Sequence, residues 1–228
     1  MLCLISALER EMTPVIAKYS KEVNVHGFLK VHECEAFGKT FLVCTSGMGK
    51  CFAAMSIAAL KEAGYQIDKV INLGVGGSLD EEKAGLLSCL IGSTYIQHDM
   101  DSSPLGDPKG MISGINVTVF LGDKALIEEV ESACAKLGFK SACGQICSGD
   151  QFIVEDKDKE RIISTFPGTI SIDMESAAYA QSAYVYNVPF VAARFISDLG
   201  HAGEYEKYFG DGQRKIEAIV DELVKDIA

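Results

Sequence analysis

Three carboxylates stand where charge is costly. Glu175 lies in Ser171-Ile-Asp-Met-Glu-Ser-Ala-Ala-Tyr-Ala, and Asp198 closes the run Val191-Ala-Ala-Arg-Phe-Ile-Ser-Asp. Glu11 follows the apolar opening of the chain. A charged group beside an apolar run is expensive to bury unless it is paired or used. Three carboxylates without a metal cluster point to acid, base and hydroxyl-binding chemistry. Each has a plainer reading when taken singly. Glu175 in the first turn of an Ala-rich helix suits the helix dipole. Asp198 beside Ser197 suits a turn cap. Glu11, among Glu9, Arg10 and Glu22, suits a solvated helix face.

The elements that must position these groups alternate. Residues 1–6 read as a buried strand and residues 7–17 as a helix. Strand patterns follow at 23–36, 41–45, 69–73, 86–96, 115–121, 141–147, 169–172 and 189–196. Helical patterns lie at 46–63, opened by Ser46-Gly-Met-Gly-Lys and ended by Gly64, at 123–137 with Asp123 as N-cap, and at 155–165 and 173–186. A last helix over 204–227 carries the stripe Ile216, Ile219, Val220, Leu223 and Ile227. Continuously apolar strands alternating with helices predict an α/β fold. We expect a single-domain three-layer sandwich over residues 1–228, with a central mixed, mostly parallel sheet. Residues 97–114, with Pro104 and Pro108, form the one long irregular stretch.

The bulk numbers narrow the class. At 228 residues the chain can bury one sizeable core. A net charge of −11 offers no basic footprint for nucleic acid or an acidic membrane surface. No apolar run approaches the roughly 18 residues of a membrane span, and no leader peptide is apparent, so the cytoplasm is expected. The eight cysteines sit mostly in apolar runs and read as small buried hydrophobes. Cys134, Cys143 and Cys147 with His98 or His201 fit no common zinc spacing.

In layered α/β folds, ligands sit beyond the carboxyl ends of the strands. The expected strands are followed there by Glu9 and Glu11, Ser46-Gly-Met-Gly, Gly74-Val-Gly-Gly-Ser, Ser148-Gly-Asp-Gln-Phe-Ile, Asp173-Met-Glu, and Ser197-Asp198. The glycine loops match neither the dinucleotide fingerprint nor a Walker A loop, and as plain turns they need no function.

These stretches, taken in order with Ile5-Ser-Ala-Leu-Glu-Arg-Glu-Met and Arg194-Phe-Ile-Ser-Asp, carry a resemblance. The chain resembles the 5′-methylthioadenosine/S-adenosylhomocysteine nucleosidases, within the wider purine nucleoside phosphorylase family. The resemblance implies hydrolysis of a purine N-glycosidic bond, releasing adenine, in a cytoplasmic homodimer acting in methionine salvage without metal or organic cofactor. Asp198 would protonate the leaving base, oriented by Ser197. Glu11 would hold and deprotonate water. Glu175 would bind the ribose hydroxyls over Met174. Phe152 would stack on the purine and the Ile153 backbone would bond its edge. Arg194 would position Glu11 or Glu175. Met48 and Gly76 would complete the pocket. Val75 stands where the family commonly carries a small hydroxyl residue. Met100, Pro104 or Leu105 would help form the 5′-substituent pocket, partly across a dimer interface. Tyr205 or Tyr208 would supply an aromatic lid.

Two alternatives stay open. A phosphorylase, or a hydrolase of another 5′-modified nucleoside, would use the same scaffold. A silent nucleoside-binding protein would keep the pocket without turnover. A carboxylate at the nucleophile position repels phosphate and favours water.

Overall fold

A computed structural model describes residues 1–225. In chain order the elements are β1 (Leu2–Ser6), α1 (Glu9–Tyr19), β2 (Ser20–His26), β3 (Leu29–Ala36), β4 (Lys39–Thr45), α2 (Lys50–Glu62), β5 (Lys69–Ser78) and β6 (Cys89–Gln97). A short 3₁₀ turn at Ser103–Leu105 precedes β7 (Phe120–Leu121) and α3 (Lys124–Lys136). The chain ends with β8 (Ser141–Ser148), α4 (Asp156–Thr165), β9 (Thr169–Asp173), α5 (Ser176–Tyr186), β10 (Phe190–Asp198) and α6 (Ala202–Leu223).

Alternation along the strands sorts the core into layers. Leu2, Leu4, Ile71, Leu73, Val191 and Ala193 face α1, α3 and α6, where Met12, Val130, Ile216 and Val220 meet them. Cys3, Ile5, Val70 and Ala192 face the opposite side, against Ile57 of α2 and Ala177, Ala180 and Ala183 of α5. The small residues of α5 let it lie close to both α2 and the sheet. Ile216, Ile219, Val220 and Leu223 are buried as the stripe required; Ile227 lies outside the described residues. Asp123 caps α3 by accepting the Leu126 N–H at 3.0 Å.

The sheet is mixed, with more antiparallel pairing than the apolar runs implied. β1 pairs in parallel with β4 and β5, β5 with β10, β6 with β8, and β8 with β9. Antiparallel pairs join β2–β3, β3–β4, β5–β9, β6–β7 and β6–β10. Tight turns at Gly27 and Gly38 account for the first two of these. Because β5 pairs with both β9 and β10, the strands β5, β10, β6, β8 and β9 close into a ring. The carboxyl ends of β5, β9 and β10 converge on it.

Two expectations need correction. The strand expected over 115–121 is only β7, plus an isolated bridge between Ile112 and Val117. Asn116, with φ at 55°, turns the chain back inside the apparent alternation. Cys51 and Cys143 are exposed, whereas the other six cysteines are buried. Among the described residues, no helix is long and apolar enough to cross a membrane, and no cluster of His, Cys, Asp or Glu could hold a metal ion.

Candidate active site

A cavity of about 440 Å³ opens beyond the strand ends, within the roughly 300–1,000 Å³ of small-molecule pockets. It brings together Glu11, Met48, Val75, Gly76, Phe152, Ile153, Met174, Glu175, Ser197, Asp198 and Tyr205. Arg194 is not among its lining residues; it lies beneath the floor, 1 % exposed. Met100, Pro104, Leu105 and Tyr208 do not line it either. Leu105 points to solvent from the exposed 3₁₀ turn, at 87 % exposure. Residues that the sequence reading gave no role also reach the cavity, including Arg10, Gly77, Gln151, Asp173 and Glu206.

Glu11 is not on a solvated face. It is buried, with Leu8 N–H donating to Oε2 at 2.9 Å and Val75 N–H donating to Oε1 at 3.1 Å. Burial pushes its carboxyl pKa up, against Arg194 and these two N–H groups. Val75 thus serves Glu11 through its main chain. Its side chain packs toward Gly212 of α6, so the missing hydroxyl is not a gap in the support of Glu11.

Glu175 caps α5 and turns its carboxylate to the start of the neighbouring helix α2. Gly49 N–H donates to Oε1 at 3.0 Å, and Arg194 Nη2 lies 3.7 Å from Oε2. Burial raises its pKa to about 7, with Arg194 opposing and Asp173 reinforcing the rise.

Asp198 caps the turn that follows β10 and is also held by Ser197. Oδ1 accepts Gly200 N–H at 2.9 Å, capping the turn, and Oδ2 accepts the Ser197 hydroxyl at 2.9 Å. Burial still raises its pKa above the usual carboxylate range.

Arg194 is the counter-ion of the whole floor. Nε lies 2.7 Å from Asp173 Oδ2 and donates to Ser176 Oγ at 3.0 Å; Nη2 donates to Asn72 Oδ1 at 2.7 Å. Asp173 also accepts the Ser148 hydroxyl and the N–H groups of Glu175 and Ser176. Asn72 was a readable signal, a lone polar residue inside the apolar run Val-Ile-Asn-Leu. Arg10 offered none.

At the mouth, Phe152 and Tyr205 meet edge to face with centroids 5.7 Å apart. The Arg10 guanidinium bonds the Tyr205 hydroxyl and lies 4.3 Å from the Phe209 ring centroid. No described group of the chain pairs with the main-chain N–H or C=O of Ile153.

The family model of the phosphorylase superfamily matches residues 2–226. The chain belongs to the phosphorylase superfamily. Within the superfamily, it is 32 % identical over 233 residues to the 5′-methylthioadenosine/S-adenosylhomocysteine nucleosidase of Staphylococcus aureus (strain JH9), covering 98 % of this chain and 100 % of that one. The nucleosidase of the same name from Neisseria meningitidis, in complex with methylthio-immucillin-A, superposes with a TM-score of 0.90 at 27 % identity, covering 99 % of each chain. Futalosine hydrolase of Helicobacter pylori shares the superfamily fold, with a TM-score of 0.92 at 22 % identity over 99 % of this chain and 97 % of that one.

Proposed function

We propose that this chain hydrolyses the N-glycosidic bond of 5′-methylthioadenosine and S-adenosylhomocysteine, releasing adenine. The observation that carries this reading is the nucleophile end of the pocket, where the buried Glu11 is held by two main-chain N–H groups. Each carboxylate oxygen keeps a second acceptor site, so water can be held and deprotonated there. Phosphate would meet a carboxylate instead of a cluster of cations. Arg194 is already engaged by Asp173, Ser176 and Asn72.

The other roles follow from charge development in the transition state. As the glycosidic bond stretches, the ribose gains positive charge and the base gains negative charge. Asp198, whose pKa its buried setting raises, gives its proton to the purine. Ser197 and Gly200 fix its orientation. Glu175 accepts from the ribose hydroxyls, a contact that strengthens as the sugar becomes cationic. Met174 packs below the ribose. Phe152 stacks on the purine, and the unpaired Ile153 main chain bonds its edge. Met48, Val75, Gly76 and Tyr205 close the walls, and Arg194 positions the carboxylates from beneath.

The whole chain works as one nucleoside phosphorylase-like domain. We place it as a cytoplasmic homodimer in methionine salvage. The exposed Met48, Phe52 and Met55 beside the pocket mouth support a partner subunit covering that face; sedimentation of the purified protein tests this.

A second reading, hydrolysis of another 5′-modified adenosine, has the same carboxylates in its favour. Free adenine released from a panel of 5′-substituted adenosines, with and without phosphate, decides between them. Strict dependence on phosphate overturns the hydrolase reading.

A further inference from the structure

The segment from Gly149 to Glu155 crosses the pocket mouth and carries Phe152 and Ile153. Among the described residues its main-chain N–H groups are tied down at two points. Gly149 N–H donates to Asp173 O at 3.1 Å, and Asp150 N–H donates to the side chain of Asp99, at Oδ2, at 3.0 Å. From Gln151 to Val154 no described group pairs with the main chain. The position of Phe152 therefore depends on the anchor at Asp150, two residues away.

That anchor is a clasp of three segments. Lys50 Nζ pairs with Asp99 Oδ1 at 2.5 Å and donates to Gln97 Oε1 at 3.2 Å. Lys50 N–H, at the start of α2, donates to Asp150 Oδ1 at 2.8 Å. The preceding amide, Gly49 N–H, is the one that Glu175 accepts. Two successive free donors of one helix start thus hold the purine-side loop and the ribose-side carboxylate. Burial pulls the Asp99 pKa up, but Lys50 and the Asp150 N–H outweigh it, so Asp99 is held below the usual carboxylate range.

We propose that Asp99, clamped by Lys50, is a positioning residue for purine recognition: it sets the loop that carries Phe152 and so governs affinity for adenine. This rests on the purine-pocket reading above. It gives a role to the stretch 97–114 that differs from lining the pocket. The first residues of that stretch act through the main chain of another loop.

The test compares Asp99→Ala, Asp99→Asn and Lys50→Met in the full chain, by calorimetric titration with adenine and by steady-state hydrolysis of 5′-methylthioadenosine. Asp99→Ala is expected to weaken adenine binding and raise KM about tenfold, with kcat within about threefold of wild type. Asp99→Asn, whose carbonyl still accepts the Asp150 N–H, recovers most of that loss. Lys50→Met keeps its main-chain bond to Asp150 and loses only the ammonium, and its effect is not additive with Asp99→Ala. Thermal melts establish that each variant is folded; if Asp99→Ala is not, Lys50→Met carries the test, with Asp99→Asn as its near-wild-type control. Wild-type adenine affinity in folded Asp99→Ala, or in Lys50→Met where Asp99→Ala does not fold, overturns the proposal, as does a loss of kcat at unchanged KM. A wild-type protein that does not bind adenine overturns the purine-pocket reading, and this proposal with it.

Discussion

Arg194 Nε stands 2.7 Å from Asp173 Oδ2 beneath the pocket, with side chains only 1 % and 2 % exposed. The pair holds a floor on which Glu11 and Glu175 also depend for counter-charge. Arg194→Met would leave these buried carboxylates without it. Removing one partner of a buried ion pair costs about 3–5 kcal/mol. We expect a loss of that order in urea unfolding, read as a lowered midpoint with an unchanged slope. A midpoint equal to that of wild type would show that the carboxylates are neutralised some other way.

Glu175 makes stability depend on pH. Its folded pKa of about 7 lies above the unfolded value of 4.5. The folded state binds the extra proton, so this contribution is full below the unfolded pKa and is lost as pH rises through the folded one. The window is pH 4.5 to about 7. Glu175→Gln should therefore melt higher than wild type at pH 8, match it more closely at pH 5, and bind nucleoside poorly. The check is a set of melting curves across that range.

Asp198→Asn removes the proposed proton donor and keeps the shape. The rate of adenine release should drop by about 10²–10⁴-fold, with melting temperature nearly unchanged. In wild type, raised pKa values at both Asp198 and Glu11 give opposite limbs. Rate falls as pH rises through the Asp198 pKa, because the acid is lost. It falls as pH drops through the Glu11 pKa, because the base is protonated. Near-normal turnover in the variant would refute the assignment of Asp198.

Glu11→Gln tests the other end of the chemistry. It should slow turnover strongly while adenine still binds, since the purine contacts are untouched. Single-turnover kinetics with a parallel adenine titration separates the two effects. An unchanged rate removes Glu11 as the base.

Gly74 explains how Arg194 and Glu11 share the floor. A Cβ there would lie 2.2 Å from Arg194 Nη1 and 2.7 Å from Glu11 Oε1. Arg194 is pinned by its other partners, so the strain cannot be relieved cheaply. Gly74→Ala should lose both stability and turnover, and a crystal structure should show Glu11 displaced from the Val75 N–H. Wild-type kinetics in that variant would mean the floor is softer than its contacts suggest.

Much of this was legible in the sequence because the strands announce themselves. The runs ending at Asp173 and Asp198 placed Glu175, Ser197 and Asp198 at one end of the sheet, and the pocket does gather them. What stayed hidden depends on partners far along the chain. Glu11 looks solvated by local spacing; only the Val75 amide, distant in sequence, reveals it as buried. Arg194 reads as a partner for Glu11 or Glu175, but its length also lets it reach Asp173 and Asn72 under the floor. The part residues 97–114 play was hidden because the register of an irregular loop follows from hydrogen bonds such as Asp150 N–H to Asp99, which no periodicity encodes.

The position of β10 has a consequence for synthesis. This strand is the last to leave the ribosome, yet it pairs with β5 on one side and β6 on the other. Until Asp198 has emerged, the nascent chain carries unsatisfied edges on two long apolar strands, a liability for aggregation. The molecule is therefore completed from its middle. A product that terminates before β10 would lack both Asp198 and the strand that joins β5 to β6.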